Sequence, residues 1–447
     1  MTVGTLDVRV PDKPGRTCPS PGPPPAGEHV FGHRSDSHNR RGLRCSDNGH
    51  VDASQLNSPQ GRALIATATR LLAEQPDRAP LALRRHTDDH DLAVAAMTQA
   101  TLRAAAYPKF GPDAARMFFT RDGLEQASRD VVANRRAGRL AAAGVDRVAD
   151  LCCGIGADAF ALARQGVSVV GVDTDRQTVD FATANAHALG LESLVQAHWG
   201  CAEETDLTGF DAMFADPSRR TGGRRIFDPD QYSPPLSTLW SISGNVPHRV
   251  CKVGPGIDHS VIPSDAEAEW VSVNGDVVEA ALWRGGVATA ARRATVITGT
   301  RVTELTGPGD RQANVGGLGE YLYEPDGAVI RAHLVAELAD MLSARVAHPK
   351  IAYLYSDIAL PTPLATVYRI EEVLPFNVKK IRQLLAQRGI GRLEIKKRGA
   401  DVTPDKLRKE LRPKGDAEGT LVITRDDDRH IALLCKRLDH AAVGDPR

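Results

Sequence analysis

The sequence lacks the patterns that would identify a membrane protein, a secreted protein or a metalloprotein. Its 447 residues contain no run of 18 apolar residues, so we expect no membrane-spanning helix. The N-terminus lacks the apolar core of a secretory signal peptide. The seven cysteines form no Cys-x-x-Cys pair, and no histidine-rich cluster accompanies them. These absences argue against a zinc site or a disulfide framework, and they predict a cytoplasmic protein with no metal and no membrane partner.

An excess of charge of one sign is also absent. The chain has 56 Lys and Arg residues against 56 Asp and Glu residues, so its formal net charge is zero. This balance excludes a protein that binds polyanions over its whole surface, although a local basic patch can be hidden in the average. Apolar residues make up 42% of the chain, which is ordinary for a globular protein, and the length allows two or three domains.

Residues 147–173 have the form of a nucleotide-binding strand–helix–strand unit. An apolar strand ends in a glycine turn, a short helix follows, and a second apolar strand ends in an acid. Gly154 and Gly156 allow the backbone to turn tightly and to approach a ligand that a Cβ atom would exclude. Asp173 follows Gly154 by 19 residues, where a carboxylate can accept hydrogen bonds from ribose hydroxyl groups.

The acids around this turn help to distinguish between nucleotides. A dinucleotide-binding loop requires a third glycine near Ala159, and that glycine is absent, which disfavours a nicotinamide enzyme. Asp150 and Asp158 instead place negative charge around the turn, which disfavours a pyrophosphate and favours a cationic ligand. S-adenosylmethionine suits this arrangement because it combines an amine, a sulfonium and a ribose diol.

The chain resembles the class I S-adenosylmethionine-dependent methyltransferases over roughly residues 117–290. The resemblance rests on Asp150-Leu-Cys-Cys-Gly154-Ile-Gly156, on Val-Gly-Val-Asp173 and on Asp216-Pro217. One difference is that Cys152 stands where this family usually has its first loop glycine. The resemblance implies S-adenosylmethionine as the cofactor, with its ribose at Asp173, its methionine end at Asp150 and its adenine against the turn at 201–204. The implied cofactor-binding residues are Asp150, Cys152, Gly154, Gly156, Asp158, Asp173, Thr174, Ala202 and Glu203.

The segment before the first strand has two interpretations. In the family that the chain resembles, this segment often closes over the cofactor. That interpretation makes candidates of Phe119, Thr120, Glu125 and Gln126. The alternative is that Phe118 and Phe119 simply pack into the core, while Thr120 caps a helix.

The methyl-accepting side is expected at the turn Asp216-Pro-Ser-Arg-Arg220, because ligands bind at the carboxyl ends of strands in an open parallel sheet. The resemblance makes Asp216 the catalytic candidate and Pro217 a substrate-binding candidate. Ser218 replaces the family's second proline, and Arg219 replaces its aromatic residue. Arg219 and Arg220 therefore indicate contact with phosphate rather than with a flat base, unless this is only a solvated arginine loop.

Cys251 raises the separate question of a cysteine nucleophile, as in RNA C5-methyltransferases. Those enzymes have the cysteine immediately before Asn-Pro, a pattern that is missing here. A buried structural thiol is the favoured interpretation.

The C-terminal residues 375–415 are strongly basic, with thirteen Lys and Arg residues against four acids. This stretch resembles the THUMP-like domain at the C-terminus of some bacterial methyltransferases, through Pro375-Phe376, Lys396-Lys397-Arg398-Gly399 and a helix over 405–411. True THUMP domains bind RNA, so Lys396, Lys397 and Arg398 are candidates for RNA contact. The alternative is a solvated lysine-rich surface.

The predicted fold class is α/β, with a Rossmann-like methyltransferase sheet, an N-terminal helical region and a small C-terminal α/β THUMP-like module. The predicted boundaries are a disordered tail at 1–57, helices at 58–143, the methyltransferase domain at 144–300, a connecting region at 301–373, the THUMP-like domain at 374–438 and a tail at 439–447.

The leading hypothesis for function is an S-adenosylmethionine-dependent methyltransferase that modifies RNA. The alternatives are a methyltransferase of proteins or small molecules, and a non-catalytic RNA-binding protein with the same fold. The sequence predicts neither the methylated atom nor the oligomeric state.

Overall fold

The structure, a computed structural model, describes residues 53–221, 224–226 and 228–438. Most of the predicted N-terminal tail and the whole tail at 439–447 lie outside these residues. The described residues form two compact units, one of 53–218 with 234–246 and one of 219–233 with 247–438.

The first unit begins with the predicted helical region. Side chains of Ser58 and Asp89 accept hydrogen bonds from backbone N–H groups and so cap the second and fourth helices. Apolar side chains at helical spacing form a core around Leu64, Ile65 and Ala96. The first helix, Ala53–Asn57, occupies the end of the segment that the sequence predicts to be a disordered tail. It is ordered here because Ala53 and Leu56 are buried in this core. The helices are α1 Ala53–Asn57, α2 Pro59–Glu74, α3 Ala79–Leu83, α4 His90–Phe110, α5 Arg121–Gln126 and α6 Asp130–Ala142.

Four parallel strands follow in the order β3-β2-β1-β4, with helices between them. This alternation confirms the predicted α/β fold. The strands are β1 Arg147–Leu151, β2 Ser168–Asp173, β3 Val195–Trp199 and β4 Ala212–Ala215. The helices are α7 Ala157–Arg164, α8 Arg176–Leu189 and α9 Leu236–Ile242. Because the strands are parallel, their carboxyl ends meet at one edge of the sheet, where ligands bind in open α/β folds.

The second unit contains five more strands, in the order β7-β9-β8-β10-β11. The Asn-Gly sequence at 274–275 predicts a hairpin turn, and these residues form one, with both φ angles positive. The sequence predicts that this hairpin belongs to an antiparallel edge of the sheet. Strand β9 is antiparallel to both β7 and β8, as expected, but β10 and β11 continue the sheet beyond β8, so the hairpin is not at its edge. Strand β11 is largely exposed and polar, so it has little of the apolar pattern that identifies a strand. The strands are β7 His248–Val253, β8 Glu267–Val273, β9 Asp276–Gly285, β10 Arg292–Thr298 and β11 Arg301–Gly307, preceded by the short pair β5 Arg220–Thr221 and β6 Arg224–Arg225.

The sequence pattern predicts one helix over 329–346, and this prediction is wrong. The chain forms two short helices, α10 Gly327–Arg331 and α11 Val335–Met341. Between them His333 has a left-handed backbone with φ +58°. The backbone N–H groups of His333 and Leu334 donate to carbonyl groups of α10 and so close that helix. A histidine gives no sequence signal for such an ending, which glycine usually provides.

The second unit also contains a seven-stranded sheet in the order β13-β14-β12-β15-β18-β17-β16. Helices α12 and α13 cover one face of it, and Tyr353 and Tyr355 pack against the other. The predicted connecting region 301–373 therefore contributes three whole strands and most of a fourth to the same sheet as the basic C-terminal residues. The strands are β12 Tyr321–Pro325, β13 Arg345–Val346, β14 Leu354–Ser356, β15 Ala365–Pro375, β16 Ile390–Lys397, β17 Ala417–Asp426 and β18 Arg429–Arg437, and the helices are α12 Val378–Gln387 and α13 Pro404–Leu411.

Candidate functional site

The glycine turn between β1 and α7 has three left-handed residues. Cys152 has φ +65°, Gly154 +55° and Gly156 +93°. Backbone N–H groups of Cys152 and Cys153 both donate to the carbonyl oxygen of Val172, at 2.8 and 3.1 Å. A Cβ atom at Gly154 would meet nothing within 4 Å, whereas one at Gly156 would lie 2.4 Å from the Phe160 ring. Glycine at 156 is thus required by packing, while glycine at 154 leaves open space beside the turn.

Asp173 connects the end of β2 to this turn. One carboxylate oxygen accepts the Gly154 N–H at 2.9 Å, and the other accepts the Asp175 N–H at 3.0 Å. Burial raises the pKa of Asp173, and these backbone hydrogen bonds oppose that rise. Each oxygen keeps further acceptor capacity, so the carboxylate is held in place but can still accept hydroxyl donors.

Asp150 is the least satisfied acid of the site. Its side chain is fully buried, and within the described ranges neither carboxylate oxygen has a hydrogen-bond partner. Burial raises the pKa of Asp150 well above its usual value, and the nearby carboxylates of Asp158 and Asp216 raise it further. Such a carboxyl group destabilises the fold unless a cation accompanies it. The chemistry of this position therefore suits a positively charged ligand.

Asp158, in contrast, is already engaged by the protein. Its carboxylate forms a buried ion pair with Arg136 and accepts a hydrogen bond from Ser128 Oγ at 2.8 Å. The Arg136 guanidinium also lies 4.8 Å from the centre of the Phe214 ring. These contacts attach α6 to the first turn of α7, immediately after the glycine turn.

The segment at 117–119 is fixed by two buried side-chain amides. Asn185 accepts the Phe118 N–H at 2.6 Å, and its Nδ2 donates to the carbonyls of Phe118 and Ile155 at 3.0 and 3.1 Å. Gln99 forms the same two-way pairing with the backbone of Phe119, at 2.8 and 3.0 Å. Since Ile155 belongs to the glycine turn, Asn185 joins this segment directly to the turn.

The rings of Phe118 and Phe119 are buried, which confirms the packing interpretation of these two residues. Phe118 stacks on Phe181, and Phe119 contacts Phe110. Thr120 accepts the Gly123 N–H at 2.9 Å and caps α5, as predicted. The other candidates of this segment, Glu125 and Gln126, are exposed near the end of α5.

The turn after β3 carries an exposed tryptophan. Trp199 Nε1 donates to the carbonyl of Thr174 at 3.0 Å, and the Arg176 guanidinium lies 4.7 Å from the ring centre. These contacts bring the residue after Asp173 against the end of β3. Ala202 is buried in the following turn, whereas Glu203 is exposed.

The turn after β4 places Asp216 beside β1. Its backbone N–H donates to the carbonyl of Leu151 at 3.3 Å, its side chain is half-buried, and Pro217 is buried. In the second unit, the carbonyl of Arg219 accepts the Ile226 N–H at 2.8 Å, and Arg220 pairs with Arg225 as the hairpin of β5 and β6 begins. One buried guanidinium nitrogen of Arg219 lacks a hydrogen-bond partner within the described ranges.

The three basic candidates at the end of β16 differ in environment. Lys396 is ion-paired with Glu324 at 2.7 Å and with Glu394 at 3.4 Å, so it does not project freely as a basic surface group would. Lys397 is exposed. The Arg398 guanidinium lies over the Tyr353 ring at 5.3 Å and is only partly accessible.

The thiols near the strand ends are not activated. Burial raises the pKa of Cys152 and Cys153 well above the usual value, and neighbouring carboxylates such as Asp173 raise it further. Cys251 is fully buried in β7, and burial raises its pKa as well. The prediction of a buried thiol at Cys251 is confirmed, and none of these three is poised as a thiolate nucleophile.

Several residues that shape the site were missed by sequence reasoning, notably Gln99, Arg136 and Asn185. Each is a fully or almost fully buried polar residue on an otherwise apolar helix face. Asn185 lies four residues after the buried Phe181 on α8. A polar side chain at such a position signals a buried hydrogen bond, although it does not identify the partner.

Two family models match the chain. A methyltransferase-domain model matches residues 148–217, which include the glycine turn, Asp173 and Asp216. A THUMP-domain-like model matches residues 365–437, which run from the start of β15 to the end of β18. This match starts earlier than the residue 374 predicted from the sequence. Among the described residues, no helix combines the length and apolar character needed to cross a membrane.

Relatives agree with these matches. An uncharacterized S-adenosylmethionine-dependent methyltransferase of Mycobacterium tuberculosis is 35% identical over 315 residues, covering 69% of this chain and 84% of the relative. A 23S rRNA (uracil-C5)-methyltransferase of Pseudoalteromonas translucida is 35% identical over 97 residues, covering 20% of this chain and 21% of the relative. A second 23S rRNA (uracil-C5)-methyltransferase, from Photobacterium angustum, is 34% identical over 120 residues, covering 25% of this chain and 54% of the relative.

Among solved structures, a Porphyromonas gingivalis protein designated a methyltransferase has the same overall fold, with a TM-score of 0.67 and 20% identity. The alignment covers 85% of this chain and 99% of that protein. The match to the mycobacterial relative, the two family models and the geometry of the glycine turn agree. The chain therefore belongs to the class I S-adenosylmethionine-dependent methyltransferases that carry a C-terminal THUMP-like domain, and its cofactor is S-adenosylmethionine.

Proposed function

We propose that this methyltransferase modifies RNA, and that its THUMP-like domain contacts the phosphate backbone. The observation that carries the proposal is a set of exposed lysines on the helical face of that domain, without an ion-pair partner in the part of the chain that the structure describes. The set comprises Lys379, Lys380, Lys397, Lys406 and Lys409. Partial matches to two relatives that methylate 23S rRNA support the same substrate class.

The position of two of these lysines argues against a merely solvated surface. Lys379 and Lys380 lie in the first turn of α12, which is capped by Asn377. Cations in the first turn of a helix are disfavoured by the helix dipole, by about 0.3–1 kcal/mol. A phosphate at this position would be attracted both by the lysines and by the helix N-terminus. Arg382 donates to the carbonyl of Glu410 and so joins α12 to α13, which carries Lys406 and Lys409.

For the methyl donor, S-adenosylmethionine, we assign the ribose hydroxyl groups to Asp173 and the amine of the methionine end to Asp150. Asp173 is held by the two backbone N–H groups, and Asp150 is a buried carboxylate suited to a cation. Gly154 leaves the open space that the ligand occupies, and Cys152, Gly156 and Asp158 shape the turn. We assign Thr174, Ala202 and Glu203 to the adenine. When bound, S-adenosylmethionine supplies a methyl carbon made electrophilic by its sulfonium.

On the acceptor side, Asp216 orients the attacking atom and can accept its proton at a carboxylate oxygen. Asp216 suits this role because its backbone is fixed against β1 and its side chain remains half-accessible. Catalysis then depends mainly on proximity, since the nucleophile must be held about 3 Å from the methyl carbon. We assign Pro217 to the shape of the acceptor turn, and Arg219, Arg220, Lys397 and Arg398 to phosphate contacts. Lys396 supports this surface through its pairing with Glu324 rather than by direct contact.

The test is transfer of tritiated methyl groups from S-adenosylmethionine to total RNA from cells that lack this gene, followed by mass spectrometry of the nucleosides. A labelled nucleoside with the wild-type protein, and none with Asp216→Ala, is expected. Label in protein or small molecules, with none in RNA, would refute the proposal.

Replacing Lys379 and Lys380 together by glutamine should weaken RNA binding and reduce its dependence on salt. Each lost phosphate contact lowers the slope of log K against log salt by about 0.7–0.9, so the pair should lower it by about 1.5. The fold should not be destabilised, because the helix dipole disfavours both charges. Filter binding over a range of salt concentrations measures the slope. The matched control replaces Arg84 and Arg85, two exposed residues outside the THUMP-like domain, by glutamine. This control should leave the slope unchanged.

Replacing Asp150 by asparagine should stabilise the protein without cofactor but weaken cofactor binding. An unpaired buried polar group costs about 1–3 kcal/mol, more when charged, and the amide removes the charge. Because the pKa of Asp150 is raised in the folded protein, its destabilising effect grows as pH rises from the pKa of an ordinary carboxyl group towards the raised one, so the gain should be present at neutral pH and vanish in acid. Urea denaturation at several pH values and calorimetry with S-adenosylmethionine measure the two effects. Equal stability at neutral pH would contradict the prediction.

A further inference from the structure

Three aromatic rings stack from the core of the second unit to its surface. The Trp270 indole is almost completely buried, and His259 stacks on it with ring centroids 4.9 Å apart and 13° between planes. His333 stacks on His259 at 3.8 Å and 9°. His333 is exposed, so the outermost ring of the stack is accessible to solvent.

The backbone of His333 is strained. It lies between α10 and α11 with φ +58°, a conformation that costs a residue other than glycine about 1 kcal/mol or more. Glycine would end α10 here without that cost. A histidine in its place therefore points to a role for the ring itself.

The stack rests on a fixed turn. The carbonyl of Pro255, in the Gly-Pro-Gly turn after β7, accepts hydrogen bonds from Trp270 Nε1 and from Arg331 Nη1, both at 3.0 Å. The same turn thus holds the innermost ring and the arginine two residues before His333. The platform is pre-organised rather than formed by ligand binding.

The electrostatic setting is a neutral aromatic face beside guanidinium groups. Burial lowers the pKa of His259, and the neighbouring His333 and Arg292 lower it further. Burial and Arg292 likewise lower the pKa of His333. Both shifts favour the uncharged imidazoles, which suits their close stacking. Asp258 is the acid that faces His259, and it accepts hydrogen bonds from Ser260.

We propose that the outer face of His333 is a stacking site for an unpaired nucleobase of the RNA, and that Arg331 and Arg292 contact its phosphate. Aromatic faces and guanidinium groups are the usual means by which proteins hold single-stranded RNA. Arg331 is exposed and donates one of its five N–H groups to Pro255, which leaves donors for an anion. This inference deepens the proposed function and rests on it. A free nucleotide shares the same chemistry.

The test is fluorescence anisotropy with a labelled single-stranded RNA at fixed salt. His333→Gly removes the ring and relieves the backbone, so any loss of affinity reflects stacking rather than misfolding. We expect about 5- to 150-fold weaker binding, the range found when one base-stacking aromatic residue is removed. His333→Phe keeps a planar ring and should retain binding. His90→Ala, an exposed histidine on α4, is the control and should bind as the wild type does.

Two further arms separate the outcomes. Competition with uridine monophosphate distinguishes an RNA base from a free nucleotide as the ligand. If the mononucleotide competes as well as unlabelled RNA does, the assignment to RNA is overturned. Cross-linking with RNA containing 4-thiouridine should label the peptide that carries His333. If the wild type binds and methylates RNA but His333→Gly binds equally well, the stacking site alone is refuted. If the wild type binds no RNA, both proposals fail.

Discussion

Replacing Asp173 by asparagine should weaken binding of S-adenosylmethionine by about 100-fold or more. The carboxylate accepts the N–H groups of Gly154 and Asp175 and, in our assignment, the ribose hydroxyl groups as well. Hydrogen bonds to a charged group contribute about 1.5–3 kcal/mol each, and an amide must turn a donor towards at least one of these partners. Calorimetric titration with the cofactor measures the loss.

The matched control is Asp175→Asn, two residues further along the chain. Asp175 caps α8 by accepting the Thr178 N–H at 3.0 Å, and asparagine caps helices equally well. Its cofactor affinity should stay within about threefold of the wild type. Since burial raises the pKa of Asp173, wild-type affinity should also begin to fall at a higher pH than for an ordinary carboxylate as the solution is acidified. Unchanged affinity in Asp173→Asn would remove this residue from the site.

Replacing Arg136 by methionine should destabilise the protein by about 3–5 kcal/mol, the usual cost of removing one partner from a buried ion pair. Methionine fills much of the arginine volume, so the effect arises chiefly from the Asp158 carboxylate left buried without its cation. Both side chains are almost inaccessible, which prevents water from replacing the lost contact. Urea denaturation of the cofactor-free protein measures the change.

The double variant Arg136→Met with Asp158→Leu tests the cause. It removes the charge together with its partner, so most of the lost stability should return. If the double variant were as unstable as the single one, the loss would come from packing against Phe214 rather than from the stranded carboxylate.

The parts of the fold that were predictable are those whose signals are local. The turn at 150–156 and the acid at 173 follow a fixed spacing. The sequence likewise predicts a helix over 176–189 that ends at Gly190, and α8 has these bounds. The break at His333 was not predictable, since a histidine in a left-handed conformation has no sequence signature. Strand β11 was missed because it is too exposed to show an apolar alternation.

The residues of the candidate site likewise fall into those that the sequence predicts and those that it does not. Its glycines and acids are recognisable because they lie at strand ends with familiar spacing. The contacts that hold it together join distant residues, since Asn185 lies 67 residues from Phe118 and Arg136 lies 22 from Asp158. A sequence shows that a buried polar residue needs a partner but not which one. Lys396 shows that a charged residue can also be misjudged. Its charge predicts an exposed phosphate-binding side chain, whereas in the structure it is ion-paired with Glu324.

The hydrogen bonds of the Gln99 and Asn185 side-chain amides connect the cofactor-binding turn to residues that precede the methyltransferase domain in the sequence. The methyltransferase-domain match begins at residue 148, yet the backbone of the glycine turn is tied through Asn185 to residue 118, and through Gln99 to α4. A fragment starting at residue 144 would leave the Asn185 amide buried without its partners at Phe118. We therefore expect the helical region and the glycine turn to unfold together as one cooperative unit.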